Sequence, residues 1–305
     1  MPTPRPRHWL LLALLVACYG SSFLLAKTAL ISLSPITIVF GRLALGALLL
    51  MSIAVLGLRL PIPRDLRALG ELAFLALLGT VLPFILVTWG QEQVSSAMTG
   101  MLNGLMPILT IAFANFMLPD EPLTPRKAAG FLVGLIGAIF LIGPGALTGL
   151  HGHTGLLEHE LAVLGSAAGY ALTAVLMRNA ASSVHPIMAG AIVCAFSALL
   201  TAPVALPGAI FQFEHAPLPA LGAVAALGTV TATAGMLLFM LIRGAGASFT
   251  SLANYLTPVW AVLLGTTLGL ERVAPSALVG LALVLSGVGI AELNWRTPAR
   301  ALKNI

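Results

Sequence analysis

The chain has 305 residues, 59% of them hydrophobic and only 8% charged. Soluble domains carry about a quarter charged residues and roughly 45–50% apolar ones, and a fold of this length must still clothe its surface in polar groups. A soluble globular protein is thereby excluded. The mean hydropathy of +1.03 calls for many membrane spans, and the net charge of +5 must be set against membrane orientation before nucleic acid is considered.

Apolar runs of about 20 residues, the length that crosses hydrocarbon at 1.5 Å per residue, predict an all-α integral membrane protein with ten transmembrane helices. The first half gives 9–31, 35–56, 69–89, 95–118 and 125–142. The second half gives 161–177, 186–206, 218–241, 245–268 and 275–293. Connections are short and hold nearly all the charge, with no room for a separate soluble domain. With the N-terminus in the cytoplasm, twelve of the fifteen cations fall on cytoplasmic segments, from Arg5 to Lys303. Only Arg272 falls outside, and Lys27 and Arg42 lie within spans. This asymmetry predicts a multi-pass protein of a bacterial-type inner membrane with both termini cytoplasmic, and it accounts for the basic balance without nucleic acid. The start, with Arg5, Arg7 and Leu15-Val16-Ala17-Cys18, imitates a lipoprotein signal, but the apolar run continues to Ile31, as a retained helix should. Cys18 and Cys194 lie in apolar runs, and neither a disulfide framework nor a CxxC pair is present.

The chain repeats itself at an offset of 149–151 residues. Tyr19, Lys27 and Pro35 correspond to Tyr170, Arg178 and Pro186; Leu78-Gly79-Thr80-Val81 recurs as Leu227-Gly228-Thr229-Val230. Thr99, Asn103, Leu105 and Pro107 recur as Thr250, Asn254, Leu256 and Pro258, and Glu121 and Pro125 as Glu271 and Pro275. Two five-helix repeats are expected, 1–150 and 151–305. Five is odd, so the second copy enters the membrane from the opposite face, the inverted-topology architecture of many secondary transporters. A duplication kept only for structure is the alternative.

These residues resemble a known family. Tyr19-Gly20-Ser21-Ser22-Phe23, Arg42 early in the second span, and the module of Pro107, Glu121 and a glycine-rich fifth span, present twice, are similar to the EamA type of the drug/metabolite transporter superfamily. The resemblance covers residues 9–293. It implies ten spans in two repeats, a pathway surrounded by spans 1–4 and 6–9, and export of amino acids, other metabolites or drugs, YddG-like aromatic amino-acid exporters included. Tyr19 stands where many relatives carry Trp.

Polar residues shared by both copies near the bilayer midplane are the natural site candidates. Tyr19, Ser22, Arg42, Thr80, Phe84, Asn103, Tyr170, Asn254, Tyr255 and Trp260 are accordingly expected to bind substrate. Pro83, Pro107 and Pro258 are expected to kink their helices, because a helical proline leaves the carbonyl four residues earlier unpaired. Pro107 would free the Asn103 carbonyl and Pro258 that of Asn254. The asparagines equally suit interhelical packing, and the aromatics suit core or lipid contact. Arg42 and Lys27 could attract a substrate carboxylate; alternatively Lys27 snorkels and Arg42 caps freed carbonyls. Gly130, Gly134, Gly137, Gly280 and Gly287 permit close helix packing, inside one chain or across a dimer. His151, His153 and His159 with Glu158 and Glu160 could hold a metal, though a solvated linker fits as well.

None of the ten acids occupies a span centre, where proton relays place one. The expected function is therefore export of small amphipathic metabolites, amino acids first, by alternating access without carboxylate-based proton coupling. A proton-coupled multidrug or metabolite antiporter is the alternative. An intramembrane enzyme is disfavoured, since HExxH, GxSxG and a histidine within a span are all missing. No filter sequence suggests a channel. The expected partners are the lipid bilayer and a small-molecule substrate, with no cofactor, and the chain is expected to act as a monomer.

Overall fold

The computed structural model describes residues 5–117, 124–142, 154–177 and 184–292. The described residues form helices and connecting segments. In chain order these are α1 (Pro6–Ala29), α2 (Pro35–Ser52), α3 (Leu66–Ala76), α4 (Leu82–Gly90), α5 (Ser96–Asn103), α6 (Met106–Met117), α7 (Pro125–Ile142), α8 (Thr154–Met177), α9 (Pro186–His215), α10 (Leu218–Ala245), α11 (Ala247–Thr250), α12 (Leu252–Thr267) and α13 (Pro275–Glu292). Eight helical stretches, some of them composite, are long and apolar enough to cross a membrane, and Pro275–Ala291 is a shorter apolar helix.

Helix starts follow local chemistry. Pro6, Pro35, Pro125, Pro186 and Pro275 open their helices, where a missing N–H costs nothing. Asp65 accepts from the Arg67 amide and Ser95 from the Met98 amide at 3.2 Å, as N-caps do. The apolar pattern alone misjudges several lengths. α9 runs to His215, nine residues past the expected end at 206, carrying Pro203 and Pro207 inside it. The stretch expected at 161–177 begins at Thr154.

Several expected spans are not single helices: α2 continues as a π-helical turn, Ile53–Gly57, the stretch expected at 245–268 is divided into α11 and α12, and two further breaks bear on the site. Between α3 and α4 the chain makes a π-helical turn, Leu77–Val81, followed at once by Pro83. Such widened turns expose backbone at functional sites, and this one carries Gly79 and Thr80. Between α5 and α6 the helix stops at Asn103, and Pro107 occupies the first turn of α6. The proline therefore acts at a helix break rather than at a kink. Pro258 does lie inside a helix, α12. The corresponding stretch of the second half, Leu227–Val230, stays within the regular α10.

The helices pack in a bundle. α1 lies against α10 and α12, α2 against α9 and α10, α4 against α8, α5 against α12 and α8, and α6 against α8. The most extensive pairing joins α7 to α13, and its cause is the absence of side chains. A Cβ on Gly137 would meet the Gly280 carbonyl at 2.8 Å, and one on Gly280 would meet the Gly137 carbonyl at 2.8 Å. Gly130 and Gly287 oppose each other in the same way. The glycine stripes thus bring two backbones together within one chain. The outward faces, with Leu132, Leu135, Ile136, Leu278 and Val279 exposed, remain apolar.

Candidate functional site

A cavity of about 460 Å³ lies between α1, α2, the α3–α4 junction, the α5–α6 break, α8, α10 and α12. Its polar character comes from backbone irregularities on one side and isolated side chains on the other. Eight of the ten expected binding residues line it: Tyr19, Ser22, Arg42, Thr80, Phe84, Asn103, Tyr170 and Asn254. Pro258 lines it as well, whereas Pro83 and Pro107 stand behind it; Pro83 packs where a Cβ on Gly169 would be, at 2.9 Å.

Tyr255 and Trp260 do not line the cavity. At 100° per residue, the face of α12 that presents Asn254, Thr257 and Pro258 turns both aromatics away. Tyr255 packs into the apolar cluster around Leu102 and Val284. Trp260 fills the notch at Gly20, where a Cβ would lie 2.6 Å from its ring, and its Nε1 donates to Ser21 Oγ at 3.2 Å. It fastens α12 to α1. Thr229, paired with Thr80 by sequence, is also misplaced by that pairing. It is exposed and donates to the Ala225 carbonyl, while Thr231, two residues on and half a turn round, lines the cavity. Leu77–Val81 is π-helical while Leu227–Val230 is regular α-helix, so equal sequence positions in the two halves do not face the same way.

Arg42 is the only charged residue lining the cavity among those described. It is 7% exposed, and no described carboxylate pairs with it. Its Nη2 and Nε donate to Thr231 Oγ1 at 3.1 and 3.3 Å, and the guanidinium carbon stands 3.9 Å over the Phe84 ring. Tyr170 meets the same ring edge-on, with centroids 6.2 Å apart. No other hydrogen bond with a described residue engages the guanidinium. A desolvated cation is costly without a partner, and a carboxylate gripped by two parallel N–H donors is the strongest partner available.

Lys27 has a different place. Its Nζ donates to the carbonyls of Gln91 at 2.6 Å and Val94 at 3.1 Å, just past the end of α4. Of the two intramembrane cations that could attract a substrate carboxylate, only Arg42 lines the cavity, while Lys27 caps carbonyls at the end of a helix instead of snorkelling. Beside it Glu271 accepts from the Ser96 and Ala97 amides, both at 2.8 Å, covering the first turn of α5. Leu270 adopts a left-handed φ of +51° immediately before that carboxylate, a conformation that β-carbon-bearing residues hold only when neighbours fix it.

Among the uncharged candidates, Ser22 Oγ donates to the Tyr19 carbonyl and Asn103 Nδ2 to the Thr99 carbonyl at 3.0 Å. The Asn254 side chain makes no hydrogen bond with a described residue. Sequence reasoning missed Thr88 and Gln91, both in the wall. They follow Phe84 at i+4 and i+7, so the helical period could have found them. No described acid lines the cavity; Glu160 is buried on α8 outside it. His151 and His153 lie outside the described residues, His159 stacks on Trp89 at 4.5 Å, and no described group of His, Cys, Asp and Glu could hold a metal.

Comparison with known proteins agrees with this architecture. An "Uncharacterized transporter" of Archaeoglobus fulgidus is 26% identical over 138 residues, 45% of this chain and 48% of the relative, so the chain matches about half of that protein's length. "Uncharacterized transporter YvbV" of Bacillus subtilis is 26% identical over 302 residues, covering 98% of this chain and 95% of the relative. A solved crystal structure of a protein of 21% identity superposes with a TM-score of 0.63, covering 95% and 98% of the two chains, which shows a shared fold. The EamA-like transporter family matches residues 7–143 and again residues 159–292. The chain is a multi-pass membrane transporter and belongs to the EamA-like transporter family.

Proposed function

We propose that this transporter exports small amphipathic metabolites that carry a carboxylate, amino acids foremost, across a bacterial inner membrane. It does so by alternating access between two inverted five-helix repeats, and no carboxylate relay drives it. The observation that carries this reading is the buried Arg42 in an aromatic-walled cavity that no described acid enters. A cationic drug would meet an unpaired like charge there. An amino acid would offer its carboxylate to the guanidinium, its apolar side chain to Phe84 and Tyr170, and its ammonium to the oxygens of Asn103 and Asn254.

Two observations support the repeat. The family matches the chain twice, once in each half. The helix pairs also survive exchange of the halves: α1 with α10 becomes α8 with α4, and α1 with α12 becomes α8 with the α5–α6 stretch. The pairs α2 with α9, α5 with α12 and α7 with α13 exchange into themselves. A two-fold related pathway of this kind can open to either face while its centre stays fixed.

The test is counterflow of amino acids in proteoliposomes, with and without a pH gradient. Exchange of carboxylate-bearing substrates at equal rate in both conditions is expected. A strict requirement for the gradient overturns the uncoupled mechanism, and Glu160→Gln would then be the first variant to examine. Failure of every amino acid to exchange overturns the substrate class.

A further inference from the structure

We propose that Thr88 and Gln91 form a second polar subsite in this cavity, which receives a neutral hydrogen-bond donor, a hydroxyl or carboxamide, at the far end of a carboxylate-bearing substrate. The proposal rests on the reading of Arg42 as the carboxylate partner and adds what the other end of the substrate must be.

Phe84, Thr88 and Gln91 stand at i, i+4 and i+7 along α4 and its last turn, one stripe of a helix facing the cavity. Thr88 and Gln91 are each 1% exposed. Thr99 and Thr257, also buried and helical, spend their hydroxyls on the carbonyls four residues back, of Ser95 and Ala253. Thr88 Oγ1 has no partner. Gln91 Nε2 donates to the Phe23 carbonyl at 2.8 Å. A carbonyl can only accept, so this bond fixes the orientation of the amide, and Oε1 is left as an acceptor with no donor. Two adjacent buried oxygens without partners destabilise the empty site. A ligand group that supplies a donor removes that cost.

The helical rise places Thr88 about 6 Å and Gln91 about 10 Å along the axis from Phe84, which underlies the guanidinium. The donor is thus separated from the carboxylate by roughly the length of an aromatic side chain, and Phe84 and Tyr170 wall the space between. Charge decides the donor's kind. The cavity wall carries one cation, Arg42, and no described acid, so a second cation on the substrate would find no counter-charge there. A phenolic hydroxyl meets these conditions, and a phenyl ring does not.

Tyrosine and phenylalanine differ by that one hydroxyl, and their competition for counterflow in proteoliposomes reads the subsite directly. Wild-type protein is expected to favour tyrosine by about tenfold or more, since a site that hydrogen-bonds a hydroxyl rejects the analogue lacking it. The ratio should fall towards one in Thr88→Val and in Gln91→Leu, and survive in Thr88→Ser, which keeps the hydroxyl. A wild-type ratio near one, or a ratio that persists in both Thr88→Val and Gln91→Leu, overturns the subsite. Competition by phenylalanine that disappears in Arg42→Met keeps the carboxylate reading alive in that event. No competition by either amino acid overturns the subsite, and the carboxylate reading falls with it only if every other amino acid also fails to exchange.

Discussion

Replacing Arg42 by methionine separates a binding arginine from a structural one. Methionine is close in length, apolar and adaptable, so it keeps the contact with the Phe84 ring that the guanidinium now makes at 3.9 Å. What it removes is a desolvated positive charge, 7% exposed, with Thr231 as its hydrogen-bond partner. Hydrogen bonds between an ionised group and its partner contribute about 1.5–3 kcal/mol. At about 1.4 kcal/mol per decade, affinity for a carboxylate substrate should fall roughly tenfold to a hundredfold. Affinity for the corresponding carboxamide should barely change. The stability of the empty protein should move the other way or not at all. Burying a charge without a counter-ion costs several kcal/mol, of which the cation–π contact returns about 2 and the threonine bonds a further part. The assays are counterflow competition in proteoliposomes and thermal unfolding of the purified protein in detergent. A lowered Tm with unchanged carboxylate affinity would refute the reasoning, because Arg42 would then hold helices together instead of awaiting an anion.

Glu271→Gln leaves one carbonyl oxygen where two carboxylate oxygens now cover the Ser96 and Ala97 amides; loss of such a cap costs about 0.5–2 kcal/mol, to be seen as a lower Tm. Gly137→Ala and Gly280→Ala should each prevent the close approach of α7 and α13, since the added carbon meets backbone at 2.8 Å, and folded yield is the measurement. By contrast Gly70→Ala and Gly222→Ala enter open space on helices and should be neutral or stabilising by up to about 1 kcal/mol; a loss at either position would count against the packing. In a background lacking Cys18 and Cys194, a cysteine at Ser32 should react with an impermeant thiol reagent added outside intact cells, and one at Ile62 should not. The reverse pattern would invert the orientation deduced from the cations.

Much of the fold could be read from the chain. Span length, cation placement and helix-opening prolines are local or additive properties, and the bilayer makes them decisive, because only an apolar helix with its backbone satisfied can cross it. Pro125–Ile142 matches the expected 125–142 for that reason. Helix ends beyond the hydrocarbon, such as α9 running on to His215, are not so constrained, and apolarity cannot locate them. The cavity was legible in outline, since repeated polar residues at mid-depth pointed to Tyr19, Asn103, Tyr170 and Asn254.

Sequence by itself determined that this protein crosses the membrane many times, which charges stay out of the hydrocarbon, and which residue types recur in both halves. Tertiary structure alone decided what each of those residues does. A π-turn at Leu77–Val81 in one half turns Thr80 inward, while the regular α10 turns Thr229 outward and gives Arg42 its partner Thr231. Rotation about α12 sends Trp260 to a glycine notch instead of the cavity. Lys27 is drawn away from the cavity because free carbonyls lie past the end of α4, within its reach. Facing direction depends on helical phase and on which neighbour leaves space, and neither is a property of a residue and its sequence neighbours.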